Sequence, residues 1–171
     1  EYNSATTFYL TTYQHDKVGN LIKTTDAKGR QTLYQYDQLN RLTRVDYPDG
    51  TYETRSYDSV GNLLSRRDQK GQTITHQYDV LDRLVSMTYP DATKATFEYD
   101  NVGKRTSSDW NGTKVASSYD ARNRLIKEQT TLEGSTYTVE YTLDAVGNVV
   151  ALKYPDNAIL SIEYDDLNRI Q

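Results

Sequence analysis

The sequence contains no cysteine. Disulfide frameworks, cysteine-based zinc sites and thiol nucleophiles are thereby excluded, although the compartment is not fixed. Its 171 residues include only three prolines, two phenylalanines, one tryptophan and two histidines. No apolar run approaches the roughly 18 residues of a membrane-spanning helix. No basic stripe is present either. The 20 Lys and Arg are interspersed with 24 Asp and Glu, for a net charge of -4, so a nucleic-acid partner is not expected. Mean hydropathy is -0.83, low enough to raise disorder as a reading. The chain starts at Glu1 without a signal peptide, which reads as a processed product or an excised fragment.

What is present argues for order. Sixteen residues are Tyr, a strand former whose ring packs while its hydroxyl seeks a partner. A short phrase also returns: YDQLNRL at 36–42, YDSVGNL at 57–63, YDVLDRL at 78–84. Anchored on its aspartate, the phrase recurs at Asp16, Asp37, Asp58, Asp79, Asp100, Asp120, Asp144 and Asp165, with successive spacings of 21, 21, 21, 21, 20, 24 and 21. The length suits one domain, and the phrase makes it a single array of about eight units.

Two residues after the anchor stand Val18, Leu39, Val60, Leu81, Val102, Arg122, Val146 and Leu167; five after it stand Leu21, Leu42, Leu63, Leu84, Arg105, Leu125, Val149 and Ile170. Both sets are expected to be buried, apart from Arg105 and Arg122, which mark the weakest or most specialised part of the array. Three residues after the anchor stand Gly19, Asn40, Gly61, Asp82, Gly103, Asn123, Gly147 and Asn168. Glycine, Asn and Asp tolerate a left-handed backbone, so these are the expected structural turn positions. The following residue alternates mainly between Asn and Arg, which gives a fuller period of about 42. Tyr36, Tyr57, Tyr78, Tyr99, Tyr119 and Tyr164 directly precede their anchors, while Tyr13 and Tyr141 stand three before. Equal parity puts this stripe on one strand face.

A second turn falls mid-copy: DAKG at 26–29, YPDG at 47–50, DQKG at 68–71, YPDA at 89–92, DWNG at 109–112, LEG at 132–134 and YPDN at 154–157. In YPDG, Pro48 presets the second position of a type I turn and Gly50 takes the left-handed site. Each copy therefore reads as two strands of roughly six residues joined by a tight turn. No stretch has a helical period. The expected fold is all-β: about eight 21-residue β-hairpin units, or some fifteen strands, in a curved, spiralling antiparallel sheet.

The phrase Y-D-x-x-G-N-L or Y-D-x-x-N-R-L, followed by a P-D-G or K-G turn and then Y-x-Y-D, resembles the YD repeats of the Rhs family, over roughly residues 13 to 171. That family includes bacterial Rhs proteins, the B and C components of insecticidal toxin complexes, and teneurins. The resemblance implies a sheet that spirals into a hollow shell, an arc of which this chain would form. In the bacterial toxins such a shell encloses a cytotoxic polypeptide; in teneurins it belongs to an adhesion receptor. It also implies repeats that are not catalytic. The D-P-x-G segment at which some members cleave themselves has no counterpart here. Asp49-Gly50 lies within a YPDG turn, so autoproteolysis and toxicity are not expected of this chain.

Other site candidates yield to simpler readings. His15 and His76 are expected to be ordinary strand residues. The anchor aspartates offer one carboxylate per corner, whereas calcium loops concentrate several oxygens within about a dozen residues; turn-stabilising hydrogen bonds are expected instead. Asp165 and Asp166 are adjacent and would point to opposite faces, unlike a glycosidase pair. Asn111-Gly112-Thr113 matches an N-glycosylation pattern but also reads as a turn. The tyrosine stripe (Tyr36, Tyr57, Tyr78, Tyr99, Tyr119, Tyr164) is the one candidate binding surface, suited to stacking on sugar rings.

The expectation is thus a non-enzymatic structural segment of a shell, secreted or at the cell surface, that encapsulates or carries a polypeptide such as a toxin. No cofactor, metal or membrane span is expected. The partners are the remainder of its own shell and the enclosed polypeptide; self-association through sheet edges is a further route. The alternative is an adhesion module for a surface glycan or receptor, in one form fibre-forming.

Overall fold

Strand-forming Thr, Tyr and Val recur between corners every ten or eleven residues, and the backbone follows them. The computed structural model describes residues 10–171. Among them are fifteen strands and no helix, hence no helix long and apolar enough to cross a membrane. The chain divides into two compact units, one ending at Gln77 and one running from Tyr78 to Gln171.

The first unit holds β1 (Thr12–His15), β2 (Leu21–Thr25), β3 (Gln31–Tyr36), β4 (Leu42–Asp46), β5 (Tyr52–Tyr57), β6 (Leu63–Arg67) and β7 (Thr73–Tyr78). Each pairs antiparallel with the next. The second holds β8 (Leu84–Thr88), β9 (Lys94–Tyr99), β10 (Arg105–Trp110), β11 (Thr113–Tyr119), β12 (Leu125–Leu132), β13 (Ser135–Leu143), β14 (Val149–Lys153) and β15 (Ile159–Ser161), paired in the same way. Each unit is an open, curved meander of hairpins. All anchor corners of a unit therefore lie along one edge, and all mid-copy corners along the other.

The register slips by one residue beside the anchor corners, for example between Gln35 and Tyr36 and between Ser118 and Tyr119. One left-handed residue in a three-residue loop has this effect, because it adds a residue to one strand only. Two mid-copy corners differ. Trp110 pairs with Thr113 and Leu132 with Ser135, which leaves two-residue loops. Both central residues have positive φ, Asn111 at 49° with Gly112 at 88° and Glu133 at 49° with Gly134 at 80°, as a type I′ turn requires. The shorter loop at 111–112 accompanies the spacing of 20, whereas the spacing of 24 comes from the longer strands on either side of the 133–134 loop, of 8 and 9 residues.

Packing is shallow. In β3, Thr32, Tyr34 and Tyr36 are half-buried while Gln31, Leu33 and Gln35 are exposed; β7 and β9 alternate likewise. One face packs and the other meets water, which antiparallel sheets permit. Among the described residues only Val45 and Ala95 form buried apolar core.

The burial expected two residues after each anchor does not occur. Val18, Leu39, Val60, Leu81, Val102, Val146 and Leu167 are all exposed, Val60 at 68%. The reason is geometric. This residue is the second central residue of the corner turn, beyond the strand ends, where face parity no longer applies. Five residues after the anchor the chain is back in a strand, and Leu21, Leu42, Leu63, Leu84, Leu125 and Val149 are half-buried. Ile170, at 70% exposure, is the exception.

Candidate functional site

Each corner is built around its aspartate. At Asp37 the backbone N–H of Asn40 donates to the Asp37 carbonyl at 3.0 Å, and the Asp37 N–H donates to the Arg41 carbonyl at 3.0 Å. Asn40 takes a φ of 60°. The carboxylate fills the loop: Oδ1 accepts the N–H groups of Leu39 and Arg41 at 2.9 and 3.0 Å, and Oδ2 accepts Nε of Arg41 at 2.7 Å. Asp79, Asp120 and Asp165 repeat this arrangement with Arg83, Arg124 and Arg169. At Asp16, Asp58 and Asp144 the partner is the side-chain amide of Asn20, Asn62 or Asn148. Asp100 accepts the N–H groups of Val102 and Lys104. All eight turn positions have positive φ, from 58° at Asn168 to 110° at Gly147, with Gly19, Gly61, Asp82, Gly103 and Asn123 between.

At the arginine corners the hydrogen bonds favour the ionised carboxylate. The backbone N–H four residues on has the largest effect in keeping Asp37, Asp79 and Asp120 below the usual carboxylate range; desolvation comes next and opposes it, and the arginine side chain there adds a further lowering. At Asp165 the Arg169 side chain leads.

The residue after the turn position also stitches one corner to the next. Arg41 Nη1 donates to the Asp58 carbonyl at 2.7 Å, Arg83 Nη1 to that of Asp100 at 2.9 Å, and Arg124 Nη1 to that of Asp144 at 2.7 Å. Asn20 and Asn148 reach Asn40 and Asn168 through side-chain amides at 2.8 and 2.9 Å. Arg122, one of the two departures from the repeat, adds a link of its own to the Ala145 carbonyl at 2.9 Å. Arg105 sits 5.8 Å over the Phe97 ring.

The tyrosine stripe forms a second ladder. The hydroxyls of Tyr36, Tyr57, Tyr99, Tyr119 and Tyr164 donate to the carbonyls of Leu21, Leu42, Leu84, Arg105 and Val149, at 2.9 to 3.2 Å. Tyr78 ends β7 and is half-buried. Cations cover several rings, with Arg41 and Arg83 each 4.8 Å over Tyr57 and Tyr99. On the first unit's other face Tyr52 lies between Arg44 at 4.1 Å and Arg67 at 4.0 Å. Burial raises the Tyr36 phenol above its ordinary range.

Further candidates are dispersed. His15 is exposed. His76 is half-buried in β7 and held below the usual histidine range by burial. Asp165 anchors a corner, while Asp166 is exposed in its turn. Asn111 is an exposed turn residue. Among the described residues no three His, Asp or Glu side chains are placed to hold a metal ion.

Two features escape sequence reading. Asp26 accepts the N–H groups of Lys28 and Arg30 and the Nε of Arg30, so it copies the anchor on the opposite edge; Asp68 accepts the N–H of Gln72. The signal was there in D-A-K-G-R and D-Q-K-G-Q. The other is a cleft of about 510 Å³ beside Tyr89, Phe97 and Trp110, which follows no repeat position.

Residues 15–52 and 57–94 match the family model described as RHS Repeat. No curated protein sequence matches the chain. Among solved structures, the chain is similar to the crystal structure of TcdB2-TccC3-TEV, with a TM-score of 0.74 and 20% identity over 95% of this chain and 10% of that one. TcdB2-TccC3 without its hypervariable C-terminal region gives 0.74 and 20% over 98% and 10%. The Photorhabdus luminescens Tc holotoxin pore gives 0.74 and 20% over 95% and 10%. At this identity the likeness is one of fold, and this chain spans about a tenth of those chains' length. With its 21-residue period, its aspartate corners and the two matched segments, the chain carries repeats that resemble those of the RHS-repeat, or YD-repeat, family.

Proposed function

We propose that the chain is a non-enzymatic structural segment of a YD-repeat shell, exported or displayed outside the cell, that encloses or carries a polypeptide such as a toxin. The observation that carries this reading is where the polar groups go. The anchor carboxylates, the arginine and asparagine side chains after the turn and the stripe hydroxyls bond to neighbouring parts of the array. Catalysis calls for convergent groups poised near the working pH. The anchor aspartates here are instead dispersed, one per corner, each engaged by the N–H groups of its own turn. Spending these groups on self-stitching suits a wall, and the RHS-repeat match and the fold of the Tc structures support the same reading.

Protease protection tests it. The native protein is treated with a broad-specificity protease before and after acid disruption. A discrete polypeptide that survives the first treatment and is lost in the second is the expected result. Uniform digestion in both would overturn encapsulation. Saturable binding to immobilised glycans that disappears in Tyr36→Ala or Tyr57→Ala would replace it with the adhesion reading.

A further inference from the structure

Of the chain's ten asparagines, only Asn111 is followed two residues on by Ser or Thr. Asn-Gly-Thr is an acceptor pattern for N-linked glycans. The turn accounts for part of it. Asn111 and Gly112 take φ of 49° and 88° at the centre of a two-residue loop, and Asn-Gly suits such a loop. It does not account for the rest. The loop of Glu133 and Gly134 reaches the same geometry, with φ of 49° and 80°, between Leu132 and Ser135. A type I′ corner in this array therefore requires neither an asparagine nor the tryptophan and threonine that flank this one.

The flanking residues are placed for a sugar. Trp110 and Thr113 are register partners, so their side chains leave one face of the hairpin, next to the asparagine. Trp110 is 63% exposed. Cations lie over Tyr52, Tyr57, Phe97, Tyr99 and Tyr119, but among the described residues none lies over Trp110. Its ring meets Tyr89, with centroids 6.3 Å apart and planes tilted by 37°. Both line the cleft of about 510 Å³, which Thr113 lines as well. The amides of Asn20, Asn62 and Asn148 are bonded to their anchor aspartates. The Asn111 side-chain amide has no hydrogen-bond partner among the described residues. Asp109, two residues before it, is the acidic residue that some oligosaccharyltransferases read in addition to the Asn-x-Thr pattern.

We infer that Asn111 carries an N-linked oligosaccharide whose first sugar stacks on the Trp110 ring. In the transfer, Asn111 Nδ2 attacks the anomeric carbon of a polyisoprenyl-pyrophosphate-linked oligosaccharide. The C1–Nδ2 bond forms and the C1–O bond to pyrophosphate breaks. The lipid pyrophosphate leaves with the electron pair, and Nδ2 gives up one proton to the transferring enzyme. The apolar face of the sugar then covers indole surface that otherwise meets water. Attachment one residue away makes this contact intramolecular, so a weak attraction suffices to hold it. The modification rests on the export part of the reading above, because the lipid-linked donor is used outside the cytoplasm.

Mass spectrometry of the native protein, recovered separately from inside and outside its source cells, tests the site. Trypsin cleavage after Arg105 and Lys114 isolates residues 106–114, in which Asn111 is the only asparagine. The expected result is a peptide heavier by an oligosaccharide, located on Asn111 by electron-transfer fragmentation. Thr113→Ala should abolish the modification and Thr113→Ser, which keeps the hydroxyl, should retain it. The single tryptophan reads the stacking. Its emission should lie at shorter wavelength in the glycosylated protein than in the Thr113→Ala chain, and the glycosylated protein should melt at higher temperature. Trp110→Leu should keep the glycan and lose the thermal gain. An unmodified peptide in protein found outside the cell overturns the inference and leaves export standing. Protein confined to the cytoplasm and unmodified overturns both. A glycan on Asn111 with unchanged emission and unchanged melting overturns the stacking.

Discussion

Arg83 and Lys104 occupy the same place in successive copies, four residues after Asp79 and Asp100. Arg83 bonds through Nε to Asp79 Oδ2 at 2.7 Å, through Nη1 to the Asp100 carbonyl at 2.9 Å, and stacks 4.8 Å over Tyr99. Lys104 places its ammonium 4.9 Å over Tyr119, yet its buried Nζ has no hydrogen-bond partner among the described residues. Only its backbone N–H reaches Asp100, at 2.8 Å. The cation is conserved in charge between the two corners, but the stitch is not. A guanidinium presents several donors in a fixed plane, whereas an ammonium is a point charge on a flexible stem. Joining one corner to the next therefore depends on a fork, or on the two-handed amide of asparagine, and not on positive charge.

The most severe way to break the comparison is to disable the partner common to the arginine corners. Asp37, Asp79 and Asp120 are held below the usual carboxylate range in the fold. Their contribution is present above the unfolded carboxylate value of about 3.9 and is lost as pH falls through the folded values. Thermal melts should hold steady above about pH 5 and drop steeply in stronger acid. A melt independent of pH down to the acid limit would count against anchoring. Next in size is the turn itself. Gly61 has φ of 109°, and a Cβ there would meet nothing within 4 Å, so Gly61→Val isolates backbone strain. Chemical denaturation should show a loss of about 1–2 kcal/mol.

The comparison sharpens in reciprocal exchange. Arg83→Lys should lose about 1 kcal/mol, and Lys104→Arg should gain a similar amount by adding a stitch. No change in either variant would show that charge, not the fork, matters. The smallest effect is expected at Val60, exposed in its turn. Val60→Thr should change stability by less than about 0.5 kcal/mol, whereas burial two residues after the anchor would have made it costly.

The array was legible because its period is written in few residue types. Asp at one end of a corner and Gly or Asn three residues on mark where strands stop, and Thr and Tyr fill the intervals, so fifteen strands and hairpin connectivity follow. Val18 and Leu39 misled because apolar character was equated with burial, and strand parity was carried through a turn where it does not hold. The DAKG turn is legible, but the anchor-like bonding of Asp26 within it is not, because the tyrosine before the anchor is absent there. The stitches made by Arg41 and Arg83 join residues 17 apart and appear only once the register places consecutive corners side by side. The Trp110 cleft depends on what lies over a ring, a relation no spacing encodes.

The central claim is that this strip is part of a wall. Cryo-electron microscopy of the native protein tests it most directly. The account predicts the repeat sheet in the boundary of an enclosed volume, with density inside for polypeptide that is not part of the wall. A solitary strip with both faces in solvent would contradict it.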